Sequence, residues 1–527
     1  MPNEHVAQRQ PSPLLRRRAA LTRPGWSLTH QTLAGLLWML YGKGAYALLQ
    51  LLVVAVLARL ISPTDFGVVG AALIVIGVST IVSRLGLGPA LVQRPALERR
   101  HIDTAFTTSV LLGAVLGAFA WLVAPLAAEF FRIEGVKPVL RALAVVFPLQ
   151  GMATVAESLM RRELRFRWLA NLDVISYGIG YGAVGITLAL LGLGVWALVL
   201  GQIAHNAVKT AMLLSGQPPR IWSVPDRRAF SELMYFGGGF TVAKIANQLA
   251  QQGDYLVVGR FLGPAALAYY GRAYNLMSAP ASGFGTILDA VLFPTMARVQ
   301  TDAKRLAAAY RRGVALIALV VLPVSPALVL LAPEVVRVVL GPRWTPVIVP
   351  FQILAAGMLF RTSAKMGDSL ARATGAVFRR AWRQILYAAL VIGGAWVGQR
   401  CGIVGVAWGV LLALGVNFLL MAQLSLSEAA MRWSDYGRAH LPAFLVTLAS
   451  SPLVWILATA FRHWGIAPAA TVITGLAVVV GCSLLLMLVA PGTFLGSDGR
   501  WMVDTMRSFV HKLPKADPRP ASTPAVE

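Results

Sequence analysis

The sequence predicts an all-α polytopic membrane protein with about fourteen transmembrane helices. Of its 527 residues, 57% are hydrophobic and 13% are charged, and the mean hydropathy is +0.67. In a typical soluble domain, about twice that share of all residues is charged. Apolar runs of about 20 residues, the length that crosses a bilayer as a helix, recur along the whole chain.

The apolar runs predict the position of each spanning helix. In chain order they cover residues 34–60, 65–87, 104–128, 138–160, 172–192, 195–215, 234–260, 264–297, 311–332, 347–370, 381–399, 403–425, 440–461 and 468–490. The run 264–297 is longer than one crossing needs and contains Pro280 and Pro294. These prolines predict a kinked or broken helix there.

The charge pattern predicts the topology. The net charge is +25, and the cations occur in alternate loops, near residues 16–23, 94–100, 161–167, 220–228, 304–312, 372–383 and 500–515. The intervening turns, such as 61–64 and 192–194, lack Lys and Arg. By the positive-inside rule both termini are cytoplasmic, which agrees with an even number of spans. Because topology explains the charge, nucleic acid is not an expected partner.

The two ends of the chain are predicted tails. Residues 1–30 form a basic cytoplasmic tail without an apolar core that would make a signal peptide, and residues 496–527 form a Pro-containing, disordered cytoplasmic tail. The two cysteines, Cys401 and Cys482, show no metal-ligand spacing. We therefore expect neither a metal nor a cofactor.

An internal repeat divides the chain. Residues 59–63 (RLISP) match residues 260–264 (RFLGP), an offset of about 201, and three later matches follow in order at offsets of about 205, 208 and 210. The matches predict a six-helix lobe at 31–225, a second at 226–430, and two appended helices at 431–495. Six is even, so the lobes share one orientation and are related by a pseudo-twofold axis along the membrane normal. Two such lobes around a central cavity suit alternating access.

Residues 58–67 (ARLISPTDFG) resemble the signature hairpin of bacterial polysaccharide exporters of the Wzx/WzxC type. Supporting matches occur in family order at residues 86–87, 91–94, 194–198, 254–263, 270–274, 293–294 and 343–344. The resemblance implies the multidrug/oligosaccharidyl-lipid/polysaccharide exporter fold in the bacterial inner membrane. It also implies a flippase rather than an enzyme, with a polyprenyl-pyrophosphate-linked oligosaccharide, a precursor of exopolysaccharide or lipopolysaccharide, as substrate. Membrane lipid, a polysaccharide polymerase and glycosyltransferases are the other expected partners.

Cations inside the predicted spans are the candidate substrate-binding residues. A charge at bilayer depth is costly to insert, and Arg and Lys both bind pyrophosphate oxygens. The candidates are Lys43, Lys244, Arg272, Arg361 and Lys365. Arg361 and Lys365 are four residues apart on one helix face, although Lys365 is near enough to a helix end to snorkel to the interface instead.

A polar stripe runs along the predicted seventh helix, where Gln248 and Gln251 complete the candidate substrate site. Asp254, in the same stripe, and Asp289 are candidates for coupling transport to protons or sodium, since a carboxylate in a low-dielectric site can carry a proton. A structural ion pair of Asp254 with Lys244 or Arg260 is the alternative.

Two other functions compete with export of a lipid-linked glycan. An integral-membrane glycan polymerase or ligase should carry a large external loop with clustered acids, Arg or His, whereas the longest external segments here, near 132–137 and 334–346, are short. A multidrug cation exporter of the same fold should have an acidic cavity, whereas the candidates here are mostly cationic.

Overall fold

The structure, a computed structural model, describes residues 28–84, 87–94, 97–216, 226–227, 231, 248 and 251–494, and this part of the chain contains helices and no strand. The helices are α1 (Leu28–Leu60), α2 (Pro63–Arg84), α3 (Leu87–Gln93), α4 (Arg99–Phe131), α5 (Val136–Leu143), α6 (Val146–Arg162), α7 (Phe166–Leu190), α8 (Val195–Gly216), α9 (251–261), α10 (Gly263–Arg298), α11 (Ala303–Leu330), α12 (Ala332–Val339), α13 (Ile348–Ala356), α14 (Met358–Ala373), α15 (Val377–Gly398), α16 (Gly402–Glu428), α17 (Trp433–His463), α18 (Pro468–Val489) and α19 (Pro491–Phe494). We refer to residues 28–216 as the N-terminal half and to residues 251–428 as the C-terminal half.

The described helices confirm a polytopic, all-helical membrane protein. Nine segments in the described ranges are long and apolar enough to cross a bilayer, and the bent pair α13–α14 would be a tenth. One of the nine, Phe378–Glu428, has 51 residues. That is more than twice the length of one crossing, and it folds back on itself as the α15–α16 hairpin.

Glycines bring α15 and α16 into close contact. A Cβ added to Gly394 would lie 2.9 Å from the carbonyl oxygen of Gly409, and Gly398 faces Gly405 in the same way. Small residues let membrane helices approach closely enough for van der Waals packing, which drives their association where no hydrophobic effect operates.

Of the two outcomes predicted for the long run 264–297, a kink or a break, the break does not occur. Helix α10 is continuous over 36 residues with Pro280 and Pro294 inside it. Neighbouring helices in a membrane bundle can satisfy the backbone groups that a proline frees, so a spanning helix tolerates the residue. A break with a bend of 46° occurs in a different span, at Gly357 between α13 and α14. A Cβ at Gly357 would lie 2.7 Å from the Leu411 side chain, so glycine lets α16 pack against the bend.

The motif at residues 58–67 forms the tight turn between α1 and α2. The Ser62 hydroxyl accepts a hydrogen bond from the backbone N–H of Asp65 at 3.1 Å and donates to the Asp65 carboxylate at 2.7 Å. Pro63 is the first residue of α2, a position where its missing N–H removes no helical bond. These residues set the angle at which α2 leaves the turn.

The two halves meet at the end of the bundle that carries the turns at residues 61–62 and 262, which we call the closed end. Helices α2 and α10 touch there: a Cβ added to Gly67 would lie 1.8 Å from the carbonyl oxygen of Pro264. The fully buried Trp344 donates from Nε1 to the Ala58 carbonyl oxygen at 2.9 Å, from one half to the other. Its ring also packs edge-on against Phe66, with 5.4 Å between centroids.

Two arginines also join the halves at the closed end. Arg59 of α1 donates to the carbonyl oxygen of Val338, with 2.6 Å between the atoms. Arg260 of α9 donates to the carbonyl oxygen of Phe130, again at 2.6 Å. Each arginine therefore bonds the backbone of the opposite half.

Helices α17 and α18 pack against the C-terminal half. The Arg462 guanidinium donates to both carboxylate oxygens of Glu334, at 2.7 and 2.9 Å. Glu334 is 4% exposed. This bidentate ion pair connects α17 to α12.

Candidate functional site

A cavity of about 750 Å³ lies between the two halves. Its walls come from α1, α2, α6, α7 and α8 on one side and from α9, α10 and α14 on the other. Its lining includes Leu57 and Phe66, which lie next to the closed end. The cavity therefore reaches from the closed end into the interior of the bundle.

The wall from the C-terminal half carries two arginines. The Arg272 guanidinium lies 4.4 Å from the centroid of the Phe66 ring, which belongs to the other half. The Arg361 guanidinium lies 4.8 Å from the Tyr274 ring and donates to the Tyr274 hydroxyl. Contacts with aromatic faces hold a cation in place without neutralising it. Both arginines thus keep their charge available to the cavity.

The wall from the N-terminal half is rich in amides and hydroxyls, and its main charges are paired. Lys209 bonds the carboxylate of Asp173 at 2.8 Å and lies 3.7 Å from that of Glu157. The Gln150 amide donates to Asn206 at 3.3 Å. Among the described lining residues, three are Lys or Arg and one is acidic, so the cavity is cationic and the excess charge lies on the C-terminal wall.

Several buried polar atoms at this cavity have no hydrogen-bond partner among the described residues. They are Gln150 Oε1, His205 Nδ1, Gln252 Oε1 and Arg361 Nε, and all four residues line the cavity. A buried polar atom left unpaired costs about 1–3 kcal/mol. A polar ligand in the cavity would offset that cost.

The structure brings four of the sequence-predicted substrate residues together and leaves others apart. Arg272, Arg361, Gln248 and Gln251 line the cavity. Lys43 and Lys365 are exposed and are not among its described lining residues. Lys244 lies outside the described residues, and so does the side chain of Asp289, although its backbone belongs to α10.

Asp254 lies behind the cavity wall rather than on it. Its side chain is 1% exposed and accepts hydrogen bonds from the Tyr270 hydroxyl at 2.5 Å and the Tyr255 backbone N–H at 3.0 Å. Tyr255 faces the cavity, and Asp254, one residue earlier, points about 100° away around the helix. The alternative pairing with Arg260 does not occur, because that guanidinium bonds backbone carbonyls of α4.

Sequence reasoning missed the polar face of α8. Gln202, His205, Asn206 and Lys209 all line the cavity. Their spacing of three, four and seven residues places them on one side of a helix. This pattern was present in the sequence and is the same kind of signal as the stripe on the seventh predicted helix.

Comparison with known proteins shows which family the chain resembles. Residues 56–349 match the family described as polysaccharide biosynthesis protein. The chain is 23% identical to the teichuronic acid biosynthesis protein TuaB of Bacillus subtilis over 88% of this chain and 96% of that protein. It is 26% identical to the lipopolysaccharide biosynthesis protein WzxC of Escherichia coli over 75% of this chain and 80% of that protein.

Solved structures share the fold. The lipid II flippase MurJ in an inward closed conformation superposes with a TM-score of 0.69 at 12% identity, covering 85% of this chain and 98% of that one. An outward-facing multidrug resistance MATE family transporter of the MOP superfamily superposes with a TM-score of 0.54 at 16% identity, covering 75% of this chain and 95% of that one. The predicted exporter fold is thus confirmed, and with more than half of its length matched, the chain belongs to the polysaccharide biosynthesis protein family.

Proposed function

We propose that the protein is a flippase that moves a polyprenyl-pyrophosphate-linked oligosaccharide across the bacterial inner membrane by alternating access. The observation that carries this proposal is the cationic, polar cavity between the two halves. A lipid-linked saccharide needs a hydrated, positively charged path for its head group, while its prenyl tail can remain in the bilayer. The family and the names of the relatives support a polysaccharide precursor as the cargo.

The two arginines of the C-terminal wall would bind the pyrophosphate. A guanidinium presents parallel N–H donors that match phosphate oxygens, and such charge-assisted bonds are the strong ones. Arg272 and Arg361 line the same cavity, and Arg361 has a buried Nε without a partner among the described residues. Gln248 and Gln251 border the same wall.

The amide-rich wall of the N-terminal half would bind the saccharide. Sugar hydroxyls both donate and accept hydrogen bonds, which suits side-chain amides and an imidazole. Gln150 and His205 each contribute a buried atom without a partner among the described residues, and Asn206 lies beside them. Because this wall has little unpaired charge, it suits a neutral, hydroxylated group better than a second phosphate.

The complete architecture follows from the repeat. We place fourteen spans in two six-helix lobes, 31–225 and 226–430, with the appended helices in 431–495 and the tails 1–30 and 496–527 in the cytoplasm. The exchange of bonds between the halves by Arg59 and Arg260, residues that the repeat relates, supports the pseudo-twofold axis. The cationic loops are cytoplasmic by the positive-inside rule. The turns at residues 61–62 and 262 alternate with those loops along the chain, so the closed end that they form is on the periplasmic side.

A buried carboxylate beside the cavity would couple transport to protons or sodium. Asp254 is the candidate, because it is a buried carboxylate bonded to tyrosine beside the cavity. Lys244 and Asp289 stay predictions from the sequence. We also expect the enzymes that build and polymerise the glycan to be functional partners.

The test is a reconstituted transport assay. The full-length protein is reconstituted into vesicles together with lipid-linked oligosaccharide extracted from the membranes of the cells that produce this protein. Head groups that reach the opposite leaflet are then detected. We expect transport without ATP, a strong loss with Arg272→Gln, and normal transport with Arg343→Gln, an exposed arginine outside the cavity. Equal transport by empty vesicles, or a requirement for ATP by the purified chain, would overturn the proposal.

A multidrug cation exporter fits this cavity poorly. Such a carrier needs carboxylates that attract a cationic drug, whereas Arg272 and Arg361 on the described lining would repel it.

A further inference from the structure

We infer that Arg59 and Arg260 form a paired latch that holds the closed end of the cavity shut, and that both arginines must release their acceptors each time the carrier opens there. This inference rests on the alternating-access part of the proposed function, and it assigns a conformational role to two residues outside the substrate cavity.

The first half of the latch bonds the end of α12. Arg59 donates from Nη2 to the carbonyl oxygen of Val338 at 2.6 Å and from Nη1 to that of Val339 at 3.3 Å. Val339 is the last residue of α12. The last carbonyls of a helix have no partner within it, and they form the negative end of the helix dipole. A guanidinium is therefore well suited to bind there.

The second half of the latch bonds the end of α4. Arg260 donates from Nη1 to the carbonyl oxygens of Phe130 and Glu129, at 2.6 and 3.1 Å. Helix α4 ends at Phe131, so these carbonyls also belong to a last turn. The guanidinium carbon lies 5.6 Å from the Phe130 ring. The chemistry is the same as at Arg59.

The contacts of the two arginines are reciprocal. Arg59 and Arg260 are related by the repeat offset of about 201, and Phe130 and Val338 by the offset of about 208. The arginine of each half thus binds the matching helix end of the other half. This is the contact pattern of a twofold interface, in which residue i meets j and j meets i. The latch is therefore a property of the seam between the halves, and separating the halves releases both arginines together.

The latch is reversible because of where its acceptors lie. Terminal carbonyls and arginines are both readily solvated, so opening exchanges these bonds for bonds to water. Because the gain is partly offset by water in this way, losing one of the two arginines should change the opening equilibrium by roughly tenfold. The buried contact of Trp344 with Ala58 lies in the same seam, and the two arginines add to it from the half-exposed rim.

The experiment measures opening at the closed end of the full chain without any substrate. In a chain with Cys401 and Cys482 replaced by Ser, spin labels on Lys137→Cys and Thr345→Cys report the distance between the halves, since both side chains are exposed and each lies six residues after a helix end that the latch binds. We expect Arg59→Gln and Arg260→Gln each to increase the ratio of wide to narrow distances by roughly tenfold, and the double variant to increase it further. Arg343→Gln is the matched control, because it removes an exposed arginine at the same end that makes no bond to the other half among the described residues.

A second readout detects opening that is too rare for distance measurements. In a chain with Cys401 and Cys482 replaced by Ser, a cysteine at the fully buried Ala58 reacts with N-ethylmaleimide in proportion to the open population. We expect the latch variants to raise the labelling rate by the same factor as the distance ratio.

Lysine variants separate a latch from a general folding defect. Arg59→Lys and Arg260→Lys keep the charge and one donor, so they should shift both readouts in the same direction by a smaller factor. Distances and labelling rates equal to those of the Arg343→Gln control in both glutamine variants would overturn the inference. Since no glycan is present, a wrong substrate assignment would not affect the result.

Discussion

Gly67→Ala should hinder closure at the closed end of the cavity. The added methyl group would lie 1.8 Å from the Pro264 carbonyl oxygen of the opposite half, against 3.4 Å at the lower limit of ordinary contact. The deficit is about 1.6 Å, and the atom in the way belongs to backbone, which cannot rotate aside as a flexible side chain can. With alanine at position 67, α2 cannot come as close to α10 as it does here, so the seam cannot close fully.

The magnitude follows from this clash. Overpacking a well-packed contact typically costs about 1–3 kcal/mol, which corresponds to a shift of about 5- to 150-fold toward the conformation that is open at this end. Glycine also lowers helix stability by about 0.5–1 kcal/mol relative to alanine. This gain in helix stability from alanine applies equally when the closed end is open and when it is shut, so it does not offset the clash.

The assay compares Gly67→Ala with Gly70→Ala in the same helix. A Cβ at Gly70 would meet the Leu267 side chain at 3.8 Å, an ordinary contact, while the gain in helix propensity is the same. Spin-label distances between the halves should widen for Gly67→Ala and stay unchanged for Gly70→Ala, and export should fall for Gly67→Ala. Identical behaviour of the two variants would show that α2 and α10 do not need this approach.

Three further predictions concern the cavity and its supports. Arg272→Gln or Arg361→Gln should each weaken binding of farnesyl pyrophosphate about 10- to 150-fold, because one charged hydrogen-bonding group is lost; titration measures this, and unchanged affinity would remove the arginine from the pyrophosphate site. Arg462→Ala should lower the free energy of unfolding by about 1–3 kcal/mol, because it leaves the buried Glu334 carboxylate without its partner; thermal melts should show a lower Tm that a second change, Glu334→Gln, partly restores, whereas an unaltered Tm would contradict the role of the pair. Asp254→Asn should preserve protein abundance, because the amide oxygen can still accept from tyrosine, yet abolish the response of transport to an imposed proton gradient; a retained response in vesicles would exclude this carboxylate as the coupling group.

The sequence was sufficient for the class of protein and for much of its helical order. Nine described segments qualify as spans, and within the described residues helices occur where the apolar runs predicted them; most of the run 234–260 lies outside the described residues. Spans can be predicted from sequence because a helix that crosses a bilayer needs about 20 consecutive apolar residues. That requirement is met within one continuous stretch of chain and does not depend on tertiary contacts. The prolines did not indicate where a helix breaks: α10 is continuous through Pro280 and Pro294, whereas a break occurs at Gly357.

The tertiary structure decided which charges face the cavity and which bonds join the halves. Helical periodicity gives the angle of a residue around its own helix, but it does not give the rotation of that helix against its neighbours. Arg361 and Lys365 share one face by spacing, yet Arg361 alone of the two is among the described cavity residues. The repeat likewise relates Arg59 to Arg260, but that each one binds a helix end of the opposite half depends on contacts about 130 and 280 residues apart in the chain. Packing sets such contacts, because it determines which surfaces meet.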